Sequence, residues 1–115
     1  MMSSVNGVNE NDWKQLRRKL PDWQENYMDK LIHEYVDLLQ GEGNPSDRFW
    51  ALEKRIREDK KDTGVSTEMS RSRMLWILHD LFREGAITLD DLDGFSDELK
   101  EGMASYAQML ENWND

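Results

Sequence analysis

Residues 75–113 read LWILHDLFREGAITLDDLDGFSDELKEGMASYAQMLENW, and the junction Gly85-Ala86-Ile87-Thr88 inside this stretch stops one amphipathic helix and starts another. Gly85 can take the left-handed conformation that closes a helix, and Ile87 can pack against both neighbours. Thr88 with Asp91 three residues on forms an acidic variant of the capping box. Upstream, Met74, Leu75, Ile77, Leu78, Leu81 and Phe82 recur on one face, with Trp76 almost opposite its centre at a 100° step. Downstream, Leu89 and Leu92 make a short turn over 88–93 and Gly94 interrupts it. Ser96 then caps a last helix with the seam Leu99, Met103, Tyr106, Ala107, Leu110 and Trp113. This pattern predicts an all-α fold.

Toward the N-terminus the same periodicity predicts three more helices. Asn11 or Asp12 caps a short one over about 12–20, carrying Trp13, Leu16 and Leu20, and Pro21 marks a break and opens the next. That second helix, about 21–40, has a wide face of Tyr27, Met28, Leu31, Ile32, Tyr35, Leu38 and Leu39, enough to touch two neighbours. Gly41-Glu42-Gly43 ends it, and Asn44-Pro45 restarts the chain. The third helix, about 45–61, offers only Phe49, Leu52 and Ile56 with Trp50 flanking, and belongs at an edge. A loop over 62–66 leads to a fourth helix, about 67–84, capped by Ser66 or Thr67. With the last helix at about 96–113 the expectation is a bundle of four to five amphipathic helices. Residues 1–10, rich in Ser, Asn and Gly, are expected to form a disordered leader before a single helical domain over 11–115.

The leucines, Gly85-Ala86-Ile87-Thr88, the acidic residues after it and Leu92 together resemble, over about 20 residues, the short helical hairpin called SHOCT. That resemblance implies oligomerisation or attachment. Gly94-Phe95-Ser96 departs from that hairpin's continuous second helix, and no family is assigned on it.

Composition narrows the chemistry. The chain has 115 residues, no cysteine and a net charge of −9. Disulfides, thiolate metal sites and Cys nucleophiles are excluded. No signal-peptide arrangement or membrane-length apolar run is present, which leads to the expectation of a cytoplasmic protein. The charge is uneven: 5 basic and 8 acidic side chains over 1–46, 8 and 6 over 47–79, and 2 and 10 over 80–115. So acidic a chain is poorly suited to phosphate backbones, and direct nucleic-acid binding is not expected.

Four chemical readings turn on register and spacing. A calcium loop with Gly94 at its sixth position would put Leu89 first and Lys100 twelfth, where Asp and Glu are needed. The histidines His33 and His79, the latter followed by Asp80, resemble the ligand set of helical metal-dependent nucleotide phosphohydrolases, yet His33 falls on a polar face and Asp80 points outward. Glu34-x-x-Asp37 and Glu98-x-x-Glu101 resemble the acidic pairs of helical pyrophosphohydrolases but occur in the wrong order. A helix-turn-helix using Arg71 and Arg73 would need a turn of three or four residues where about nine intervene.

The expectation is therefore a small acidic helical protein of bacterial or phage type, without an enzymatic activity, cofactor or metal, that acts by protein contacts or self-association. Five tryptophans support it, because a domain this small can hardly bury them all. The expected contact surface is Trp50, Arg55, Arg57 and Trp76, with Asp90, Asp91, Asp93 and Asp97 as an acidic patch. The alternatives are an acidic decoy of a nucleic-acid-binding surface and the metal-dependent phosphohydrolase.

Overall fold

Asn9 sets the first helix. Its side chain accepts from the backbone N–H groups of Asn11 and Asp12, at 2.8 and 3.1 Å, and α1 runs from there as Glu10–Leu39. In the computed structural model, which describes residues 9–114, α1 is followed by α2 (Pro45–Asp59), a 3-10 turn (Arg71–Arg73), α3 (Met74–Glu84), a second 3-10 turn (Leu89–Leu92) and α4 (Asp97–Asn114). The fold is all-α, with no strand among the described residues. Residues 1–8 of the expected leader lie outside the described residues. Asn9 and Glu10 do not belong to a leader, because they cap and open α1.

The predicted break at Pro21 is corrected: one helix passes through it. An interior proline costs about 3 kcal/mol by removing a hydrogen bond and crowding the preceding turn. Here the ring is exposed, while Trp13, Leu16, Leu20, Trp23, Tyr27 and Leu31 form one buried stripe on both sides of it. Ending the helix at Pro21 would swing Trp23 and Tyr27 off the core, and their burial outweighs the lost bond.

The fourth predicted helix also starts later. Ser66 and Thr67 cap nothing; residues 66–70 are irregular, and the α-helix begins at Met74 after a 3-10 turn. Side chains already engaged hold this return segment. Tyr27 Oη donates to Asp62 Oδ2 at 2.6 Å, Gln24 Nε2 donates to the Thr63 carbonyl at 3.0 Å, and the backbone N–H groups of Thr63 and Gly64 each donate to the Glu84 carboxylate at 2.9 Å. Burial pushes the Glu84 carboxyl above its usual range, against the pull of those two backbone donors. A Cβ at Gly64 would sit 2.4 Å from Cδ2 of the Tyr27 ring. Gly64→Ala is therefore expected to cost about 1–3 kcal/mol through forced displacement of a ring fixed at both ends. Thermal unfolding reads this directly, and an unchanged midpoint would refute the close packing.

The core gathers the first half of α1, α3, the 3-10 turn with Ile87 and Phe95, and the start of α4. Gly85 closes α3 with φ 82°, and the Thr88–Asp91 box is formed, with Thr88 N–H donating to Asp91 Oδ2 at 2.7 Å. Gly94, with φ 90°, turns the chain so that Phe95 stacks on Trp23 at 6.3 Å between centroids. Leu75, expected on the buried face of α3, is 51% exposed, since α1 and α4 flank the ridge of Met74, Ile77, Leu78 and Leu81 and leave its edge uncovered.

α2 contributes no residue to this core and contains no buried residue. With 30 residues α1 is about 45 Å long, so its C-terminal part runs past the body and pairs with α2. The result is a body with a two-helix arm, 61 Å along its longest axis, with a radius of gyration of 17.1 Å where a compact domain of this length has about 13 Å. The wide face over 27–39 meets segment 62–64 at Tyr27 and α2 at Glu34 and Tyr35, while Ile32, Val36 and Leu39 stay exposed.

Candidate functional site

The arm is closed by a seam that mixes apolar packing with charged and hydroxyl groups. Arg55 lies between helices, donating Nε to Asp59 Oδ2 at 2.8 Å and Nη2 to Glu34, with its guanidinium 5.6 Å from the Tyr35 ring centre. Tyr35 Oη donates to Asp59 Oδ2 at 2.6 Å, and Arg48 Nη1 donates to the Leu39 carbonyl at 2.7 Å. The residues of α2 that are half-buried are Arg48, Leu52, Arg55 and Asp59; opposite them on α1 are the half-buried Met28, Glu34, Tyr35 and Leu38 and the buried Leu31. These define the two facing stripes.

One flank of the arm follows from that seam. In an antiparallel hairpin, the residue one step after each seam residue lies on the same side of both helices, because each step turns about 100° and the helices run oppositely. On α1 those residues include Ile32 and Leu39, with Val36 beside them; on α2 they include Phe49, Glu53, Ile56 and Lys60. All five apolar members are exposed, Ile32 by 55% and Phe49 by 62%. On the α2 side, Phe49, Leu52, Glu53, Ile56, Arg57 and Lys60 line a shallow groove of about 290 Å³. Exposed apolar side chains scattered singly are normal on a protein surface; here five stand on one flank of a two-helix arm.

Burial and Asp59 together push the Tyr35 hydroxyl up to about 12. Tyr27, at the base of the arm, is also raised, first by burial and then by its bond to Asp62. A tyrosine whose folded value exceeds the free one near 10 supports the fold fully below pH ~10 and loses that support as pH climbs toward 12. The arm is thus expected to lose helical circular dichroism over this interval, and Tyr35→Phe to flatten that part of the curve. Identical alkaline profiles for the two proteins would remove Tyr35 from the seam.

The expected surface residues fall in three places. Trp50 sits on the arm beside Phe49, edge-on at 5.0 Å, on the side of α2 turned away from α1. Arg57 is exposed and donates to Glu53 one turn back, while Arg55 is committed inside the arm. Trp76 is on the body, exposed and edge-on to His79, so the structure does not join it to Trp50. It borders a cleft of about 440 Å³ shared with Arg71, Leu75, His79, Glu98 and Gly102. His79 stacks on Tyr106 at 4.0 Å, and burial holds its imidazole below the usual range. Of the acidic patch, Asp91 is the box residue of the 3-10 turn, Asp97 lies in the first turn of α4 with Lys100 at 3.7 Å, and Asp90 and Asp93 are exposed. Trp13 and Trp23 are core residues, whereas Trp113 is exposed near the end of α4.

Sequence reasoning assigned Ile32, Leu39, Phe49 and Ile56 to packing and missed the flank. The signal was the width of the apolar face over 27–39, broader than the single narrow stripe of α2 could cover. His33 is on the exposed side of α1 beside Asp29, with its Nδ1 2.8 Å from the Asp29 carbonyl oxygen. Among the described residues no three His, Asp or Glu side chains come together in a way that could hold one metal ion. None of their helices is long and apolar enough to cross a membrane.

The fold thus defines a class: a helical body bearing a helical-hairpin arm. Compared with protein-family models, with curated proteins and with solved structures, the chain matches none.

Proposed function

We propose that this protein works by protein contact, as a small acidic adaptor or self-associating module of the cytoplasm without chemistry of its own, and that the arm is its contact element. One observation carries the reading: Ile32, Val36, Leu39, Phe49 and Ile56 are exposed together on an arm whose second helix has no fully buried residue. Apolar side chains held on rigid helices lose little freedom when covered, which favours them as interface anchors. Trp50, adjoining Phe49, extends the surface, and Arg57 and Lys60 form a charged rim that aligns a partner. The acidic decoy and the phosphohydrolase have no comparable observation in their favour. Tagged protein expressed in its source cells is expected to retain a companion chain, either another protein or an untagged copy of itself, that a Phe49→Glu bait does not retain. Equal recovery of companions by both baits would sink the reading.

A further inference from the structure

We infer that the flank of the arm is covered by the same flank of a second copy of this chain, so that two arms form a four-helix bundle about a two-fold axis running along their length. The inference rests on the proposed function and names the partner of that surface. Three features of the arm point to self-pairing.

The first is charge. Leaving out Glu34, Arg48, Arg55 and Asp59, which are paired inside the seam, residues 25–40 carry three acidic and one basic side chain, and residues 45–61 three acidic and four basic. A two-fold axis parallel to the arm lays α1 of each copy on α2 of the other, negative helix on positive helix, twice. The alternative two-fold, perpendicular to the arm, would lay like on like. The arm is also the least repulsive part of a chain of net charge −9, since residues 25–61 sum to −2 and residues 62–115 to −8.

The second is register. The pairs Glu34–Arg55 and Leu39–Arg48, with Tyr27–Asp62 just beyond the end of α2, place residues of the two strokes of the arm at common levels. Under the parallel two-fold those levels hold between copies. Ile32 and Val36 then meet the second copy's Ile56, Leu39 meets its Phe49, and Asp29 comes level with its Lys60. Apolar groups face apolar groups in the middle, with Glu53 beside them held by its own Arg57, and opposite charges face each other at the base.

The third is room. The body packs on the stripe Leu16, Leu20, Trp23 and Tyr27, and the flank residues Ile32, Val36 and Leu39 lie about 150° around α1 from it. Stacked through their flanks, the two arms keep both acidic bodies on the outside, so nothing of the body obstructs the contact.

The chain has no cysteine, so introduced ones report unambiguously. Light scattering of the full chain should give the mass of two chains, and Phe49→Glu the mass of one with its helical signal retained, because Phe49 is exposed in the single chain. Lys60→Glu should weaken the dimer and Asp29→Lys added to it should restore it. Under mild oxidation, a mixture of Val36→Cys and Ile56→Cys proteins should form a mixed disulfide dimer, while Ser105→Cys on α4 should not crosslink. A single-chain mass for the unaltered protein at millimolar concentration overturns the inference, as does a dimer that survives Phe49→Glu. A single-chain mass together with a companion protein lost from the Phe49→Glu bait rejects self-pairing and leaves the contact reading intact. Failure of both experiments rejects both.

Discussion

Asp12→Ala is expected to be among the most damaging single changes to the body, lowering stability by about 2–4 kcal/mol. Asp12 is 2% exposed, and its carboxylate accepts from the Ser96 backbone N–H at 2.7 Å and from Ser96 Oγ at 2.6 Å. Ser96 Oγ in turn accepts from the Leu99 N–H at 3.2 Å, which makes it the cap of α4. One carboxylate therefore stands at the start of α1 and of α4 together, where both helix dipoles favour negative charge. Truncation removes two charge-assisted bonds and leaves a backbone donor without its acceptor, which costs more than a neutral bond. Asp12→Asn keeps an acceptor for that N–H and should lose less. Denaturant titration distinguishes the three proteins; a loss under about 0.5 kcal/mol for Asp12→Ala would show that the linkage is incidental.

Leu78→Ala should cost a comparable about 2–5 kcal/mol, and Leu75→Ala, on the same helix, well under about 1 kcal/mol. Leu78 is fully buried among Leu16, Leu81, Leu92 and Met103, so its truncation opens a cavity in the densest part of the body. Leu75 is half in water and leaves no void. Periodicity placed both on one apolar face. The contrast between them therefore measures the tertiary arrangement: equal losses would mean that another element covers Leu75.

Local chemistry was readable where a residue acts on its near neighbours. Gly85, the Thr88–Asp91 box, the Ser96 cap and the Asn44-Pro45 restart all operate within a few residues, and each is formed at or next to its expected place. The edge position of α2 was legible because a stripe of only Phe49, Leu52 and Ile56 cannot make a core. The N-terminal cap was misplaced by two residues, since Asn9, Asn11 and Asp12 are all competent caps and only the burial of Asp12 against Ser96, 84 positions away, reserves that carboxylate for another task. Gly94-Phe95-Ser96, the interruption that departs from a continuous hairpin, serves the same docking: Gly94 approaches Gln15, Phe95 stacks on Trp23 and Ser96 binds Asp12.

By itself the order of residues determined an all-helical chain, the helix ends at Gly41-Glu42-Gly43 and Gly85, the starts at Asn44-Pro45 and Ser96, and a lack of cysteine chemistry. Tertiary structure alone decided that α1 runs unbroken through Pro21, that half of it projects from the body, and that Ile32, Val36, Leu39, Phe49 and Ile56 meet water on one flank. Periodicity tells which side of a helix is apolar. Whether a neighbour is long enough to cover that side depends on contacts between segments far apart in the chain.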